Sequence, residues 1–234
     1  MRGCLFVLMA AAVLVSVAAW FGSPVLAAAA IDIALRNAGF SATTQTVKAT
    51  SDPPLKLLLG RADRVEIRAA GVSFRTFRAA SLDLVLRDVD VTAKTARSVS
   101  GTVEDASLST PDGIPTNADI GIDGTASRAT TTIVVPGTTV DRVVRTAFAD
   151  RIGLAISRTE LVAPDTLRIV LPAGSLEGRL IIDTSGAVAL STRIGEAMIL
   201  RLDPSFPLRL RSVVAVDGDL RLDGTLDVTS LLGS

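Results

Sequence analysis

Arg64, Glu66 and Arg68 fall on one parity of the chain, and Val65, Ile67 and Ala69 fall on the other. Side chains of an extended strand point alternately to opposite faces, so this spacing predicts a strand with one wet face and one apolar face. The same period returns at Leu82, Leu84 and Leu86, then resumes on the opposite parity at Val89 and Val91. A one-residue shift of that kind predicts a β-bulge near Arg87–Asp88, which would bend the strand. Further strands are expected over 101–109, 128–135, 154–163, 166–171, 178–183, 187–193 and 196–202. At the C-terminal end, Asp217–Gly218 separates two alternating runs, the signal of a β-hairpin. Leu220, Leu222, Leu226 and Val228 then share one face, with Asp219, Arg221, Asp223 and Asp227 on the other. So many apolar strand faces need a partner, which is either a second layer of protein or something that is not protein.

Two segments break the β pattern. Ser23 as N-cap and Pro24 at the first helical position predict a helix through about Asn37, stopped by Gly39, with Asp32 and Arg36 spaced to pair on its outer side. Val140, Val143, Val144, Ala147 and Phe148 predict a second, amphipathic helix over 139–152. Thr138 or Thr139 could cap its start and Gly153 its end, with Asp141, Arg142, Arg145 and Arg151 facing away. Such a helix beside strands ordinarily closes an open end of the core; the functional alternative is a helix that touches membrane or gates a pocket. The turns at Asp112–Gly113, Asp123–Gly124 and Ser185–Gly186 are short, and no linker divides the chain. The expectation is one mainly β (α+β) domain over 23–234, an elongated, coiled antiparallel sheet or barrel with an apolar interior and two helices.

Ahead of that domain, no charge occurs between Arg2 and Asp32. A basic start followed by an apolar run and small residues has the form of a secretory signal, yet the run approaches the ~20 residues that span a bilayer. Residues 1–22 are therefore expected to be a signal peptide or an N-terminal membrane anchor, with the rest of the chain exported to the periplasm or cell envelope.

Composition narrows the chemistry. Of 234 residues, 48% are hydrophobic but only 3% aromatic, so the apolar content is aliphatic. The chain has 24 basic and 24 acidic residues, which removes the electrostatic case for a nucleic-acid partner. Lysine occurs only at Lys48, Lys56 and Lys94. With no histidine, and Cys4 the single cysteine, the common nucleophile–base pairs, cysteine metal sites and disulfides cannot be built. Ser175 lacks the spacing of a nucleophile elbow, and the run from Asp217 to Asp227 fails the EF-hand pattern because Arg221 stands where an oxygen ligand belongs. A glycosidase carboxylate pair would have to hold sugars with almost no aromatic platforms. No enzyme activity, metal or cofactor is expected. Arg61, Arg64 and Arg68 could contact anionic lipid headgroups, but Asp63 and Glu66 are interleaved among them, which favours a solvated face.

The order of these features resembles the LmeA-like phospholipid-binding family of bacterial envelope proteins. The resemblance runs from about residue 24 to 230 and rests on "LLLGRADRVEIRAAGV", "LDLVLRDVDV", the mid-chain helix and "PSFPLRLRSVVAVDGDLRLDGTLDV". It implies an apolar interior that takes phospholipid acyl chains, a role in envelope lipid or lipoglycan metabolism, and no catalytic motif. Phospholipid or a related amphiphile, and a membrane surface, are the expected partners; no protein partner is indicated. The candidate lining is Leu57, Leu59, Val65, Ile67, Leu82, Leu84, Leu86, Leu167, Ile169 and Leu171, with Val143, Val144 and Phe148 at the mouth. The rival is a structural or interaction β-protein of the envelope with a solid, ligand-free core.

Overall fold

The computed structural model describes residues 24–37, 39–74, 77–109, 115–152, 155–193, 195–201 and 208–228; the side chains of 108–109, 115 and 147–152 lie outside that description. The expected signal or anchor over 1–22, the Ser23 cap, the turn at Asp112–Gly113 and the cap at Gly153 fall outside the described residues. No described helix is long and apolar enough to cross a membrane.

The first helix, α1, spans residues 24–37. Gly39 follows it, donating its N–H to the Arg36 carbonyl at 2.9 Å, and Arg36 pairs with Asp32 at 3.0 Å as the spacing predicts. The strands then run β1 (Phe40–Ser41), β2 (Thr44–Thr50), β3 (Arg61–Phe74), β4 (Phe77–Asp90), β5 (Ser98–Ser109), β6 (Pro115–Thr125) and β7 (Arg128–Val135). Helix α2 (Gly137–Ile152) leads to β8 (Arg158–Val162), β9 (Thr166–Leu171), β10 (Gly174–Ile182), β11 (Val188–Thr192) and β12 (Gly195–Leu200). The chain closes with the hairpin β13 (Leu208–Val216) and β14 (Asp219–Leu226), turned by Asp217 (φ 52°) and Gly218 (φ 85°). Both residues lie in the left-handed region that a type I′ turn requires.

The strands form two antiparallel sheets. The larger has nine strands in the order β1-β3-β4-β5-β6-β7-β14-β13, with β2 alongside β1 on β3; the smaller runs β12-β11-β10-β9-β8. Neither closes, so the architecture is an open sheet and not a barrel. The small sheet curls instead around α2, which touches both of its edge strands, β8 and β12. Val140, Val143 and Val144 of α2 are buried there with Leu167, Ile169, Leu180 and Leu190, and with Ile133, Leu220 and Leu222 of the large sheet. A second apolar cluster lies at the other end of the large sheet, around Leu57, Val65, Leu86, Val99 and Leu226.

The inward face of the large sheet changes parity at specific residues. Buried residues of β3 switch parity between Ala69 and Val72, where Gly71 has φ 60°, and those of β5 switch between Val103 and Ala106, where Asp105 has φ 52°. Only β5 carries a register shift there, against β6. Near Arg87–Asp88 the sequence predicts a bulge, but the β3–β4 register runs unbroken from Arg61↔Asp90 to Phe74↔Phe77. The parity change comes instead from Asp88 itself, held left-handed at φ 49°, with no residue inserted.

Three further differences have physical reasons. The helix predicted from 139 starts at Gly137, because its cap comes from elsewhere in the fold. Asp123–Gly124, expected as a turn, continues β6, since both residues pair with β5 and β7. The strand β2 escaped notice because its inward residues include Gln45 beside Val47 and Ala49, which blurs the alternation.

Candidate functional site

Register carries the inward residues of the large sheet into three rows that cross its strands. One row is Gln45, Ala69, Leu82, Val103, Ile120, Ile133, Leu222 and Val213. The next is Val47, Ile67, Leu84, Gly101, Ile122, Thr131, Gly224 and Leu210. The third is Ala49, Val65, Leu86, Val99, Gly124, Ala129, Leu226 and Leu208. The outer two rows consist mostly of fully buried residues and form the walls of the two clusters.

The middle row is different. Two of its positions are glycine, and Val47, Leu84, Ile122 and Leu210 are only partly covered by protein. It is a band of mostly aliphatic side chains running across strands spaced ~4.8 Å apart, and it borders both clusters: Ile67 belongs to the second, Val47 and Leu84 pack against that one, Leu210 packs against the first and Ile122 against both. It carries no charge. Its one hydroxyl, Thr131 Oγ1, is buried with no hydrogen-bond partner among the described residues. Gln45 Nε2, one row away, is likewise buried and unpartnered.

Helix α1 lies lengthwise over this concave face. Ala27 and Ile31 pack against the second cluster, and Leu35 against both, so one stripe at spacing i, i+4, i+8 spans the middle row. Even this inward stripe is only half-buried.

The sequence-predicted lining separates into two groups. Val65, Ile67 and Leu86 are buried, and Leu82 and Leu84 half-buried, on the concave face, with Leu57 beside them in the second cluster. Leu167, Ile169 and Leu171 belong to the small sheet and pack in the first cluster with α2. Leu59 does not face inward: its side chain is 74% exposed. The segment Pro54–Leu59 forms a 3-10 helix with about three residues per turn, which directs Leu57 to the interior and its neighbours outward. Val143 and Val144 are buried in the first cluster, and the Phe148 side chain lies outside the described residues.

The arginines are engaged on the surface. Arg61 pairs with Asp90 (3.4 Å), Arg64 with Glu66 (2.8 Å) and Arg68 with Asp83 (3.1 Å). They form a charge-paired solvated face, not a cluster of available cations. The backbone N–H of Ala93, 2.8 Å away, holds the Asp90 carboxyl below the usual range, with Arg61 contributing. On α2, Asp141 does not simply face water. It accepts hydrogen bonds from the Thr159 N–H (2.7 Å) and hydroxyl (2.8 Å) and pairs with Arg145 (2.8 Å), tying the helix to β8. Burial raises its pKa, but Thr159 and Arg145 together outweigh that and hold it lowered.

Of the middle row, only Ile67 and Leu84 were candidates from sequence. Val47, Ile122, Leu210, Thr131 and the two glycines are joined to them by register alone. Ala118, Ile120 and Ile122 did carry an alternating signal, obscured by the turn-like Asp123–Gly124 that follows.

Comparison with curated proteins and with solved structures gives no match. The profile of one family, described as LmeA-like phospholipid-binding, matches residues 15–225, nearly the whole chain. An apolar concave face spanned by a half-buried helix accords with that description, and the chain belongs to the LmeA-like phospholipid-binding family.

Proposed function

We propose that this protein is an exported, non-enzymatic carrier of the cell envelope that holds the acyl chains of phospholipid, or of a related amphiphile, along the middle row of the concave sheet face. The observation that carries the reading is the partly covered aliphatic row between two buried clusters, in a chain of a phospholipid-binding family. Helix α1 acts as the cover: an acyl chain entering the row replaces part of the contact that Ile31 and Leu35 make with the sheet.

The energetics suit exchange. Burying two acyl chains of about 16 carbons at ~0.8 kcal/mol per methylene is worth about 25 kcal/mol relative to water. A bilayer offers a similar sum, so extraction into a dry aliphatic groove is nearly thermoneutral. The charge-free row supplies no polar cost beyond Thr131.

Native mass spectrometry of the purified chain, followed by organic extraction, tests the proposal. A stoichiometric adduct that releases phospholipid is the expected result. Leu84→Trp and Ile122→Trp, which fill the row from half-buried positions, should remove most of the adduct while preserving the unfolding midpoint. A chain that stays unloaded after incubation with phospholipid vesicles would point to a ligand-free structural protein.

A further inference from the structure

Among the described residues, eight large apolar side chains are exposed: Val25, Leu26, Ile33, Leu55, Leu58, Leu59, Val91 and Val216. Their distribution is uneven. Leu55, Leu58 and Leu59 lie on the 3-10 segment before β3, and Val91 lies in the β4–β5 turn. The two meet where the Val91 N–H donates to the Gly60 carbonyl at 2.8 Å. Helix α1 runs toward the first cluster, because Ala27 and Ile31 touch only the second cluster, Leu35 touches both, and Phe40 belongs to the first. Its start, with Val25 and Leu26, therefore sits at the same end as the leucines. Six of the eight side chains thus share one pole, each between 38% and 74% exposed.

We infer that this pole docks on a lipid bilayer. Three observations favour a bilayer over a protein surface. The apolar side chains protrude from three separate elements, as anchors dipping into an interface do. Lys56 and Lys94 stand among them, and Lys94 has no ion-pair partner among the described residues. Of the nearby carboxylates, Asp63 accepts the Asp52 N–H (2.7 Å) and pairs with Lys56 (3.4 Å), and Asp90 accepts the Ala93 N–H (2.8 Å) and pairs with Arg61 (3.4 Å), while Asp52 is exposed. Finally, the stretch from Gly3 to Ile31 carries no charge, and its described part, the start of α1, lies at this pole. Docking here sets the second cluster and the start of α1 against the bilayer, so a lipid could reach the concave face without crossing water. The choice of a phospholipid surface rests on the proposed carriage; the existence of the pole does not.

The test places an environment-sensitive NBD label at Leu59→Cys, in a full-length Cys4→Ser background, and compares it with the same label at Val216→Cys at the opposite end. Both sites are exposed, so neither label disturbs packing. On addition of phosphatidylcholine–phosphatidylglycerol vesicles, the label at 59 should brighten several-fold, shift blue and lose access to iodide, while the label at 216 changes little. Full iodide access at 59 on vesicle-bound protein would overturn the inference, as would equal changes at both sites. Protection at 59 without vesicles would identify a second copy of the chain as the occupant and overturn it as well. Lipid loading of the same variants, measured by mass spectrometry, separates the two readings: loading without insertion removes the docking pole alone, and insertion without loading removes carriage alone.

Discussion

Asp219, beside the turn of the C-terminal hairpin, accepts a 2.9 Å hydrogen bond from the backbone N–H of Gly137, which opens α2. A carboxylate at a helix N-terminus satisfies an orphan donor and meets the positive end of the helix dipole. Asp219→Ala should cost about 1 kcal/mol in urea unfolding, and Asp219→Asn should recover most of it. Gly137→Ala should cost more, since its methyl group would collide with the Gly218 carbonyl.

Asp141 links α2 to β8, and its lowered pKa sets a direction for acid stability. A carboxyl whose folded pKa lies below its unfolded value stabilises the fold above the unfolded pKa. That contribution fades as pH falls through the folded pKa. Asp141→Asn should lower stability at neutral pH by about 1–3 kcal/mol and flatten the acid limb of a stability–pH curve. An unaltered acid limb would assign the acid sensitivity to other carboxylates.

Thr131 sits in the middle row with its hydroxyl unpartnered. Thr131→Val keeps the shape and removes the buried polar group, so the unfolding free energy should rise by about 1 kcal/mol. Lipid loading should hold or increase, because the row becomes wholly apolar.

Two leucines two residues apart should behave oppositely. Leu57 is buried in the second cluster and Leu59 is exposed. Leu57→Ala should cost about 2–5 kcal/mol, whereas Leu59→Ser should stay within about 0.5 kcal/mol. Thermal and denaturant unfolding of the pair checks the orientation of the 3-10 segment directly.

Gly71, at φ 60°, stands where the buried residues of β3 change parity. Gly71→Ala should destabilise by at least about 1–2 kcal/mol from the left-handed backbone alone. The added methyl group also meets the Thr43 hydroxyl. Combining it with Thr43→Gly should relieve the collision and leave the backbone cost, which a double-mutant cycle would resolve.

What the sequence made legible was what local chemistry decides. The stop at Gly39, the Asp32–Arg36 pair, the Asp217–Gly218 hairpin and the alternation of Val65, Ile67 and Leu84 all depend on neighbours a few residues apart. The N-terminus of α2 did not, because its cap is supplied from 82 residues away. The candidate site was only half legible for the same reason. Ile67 and Leu84 announce themselves as inward aliphatics, but Gly224 and Thr131 join them only once several strand registers are fixed. Leu167 and Leu84 have the same local pattern, and nothing nearby in sequence says that one belongs to the small sheet and the other to the large. A two-residue spacing puts Leu59 inward with Leu57 on one face of a strand, whereas the 3-10 turn found here separates them.

An open sheet has a cost that a barrel avoids: two borders where another chain could add itself. In the large sheet both borders are guarded by sequence. On one side, β2 carries Lys48, one of only three lysines in the chain. On the other, β13 alternates Arg209 and Arg211 with its leucines, and its Ala215 N–H is already given to the Pro164 carbonyl at 2.7 Å. A protein this rich in aliphatic strands thus carries, on both borders of its large sheet, features that oppose edge-to-edge pairing with another chain.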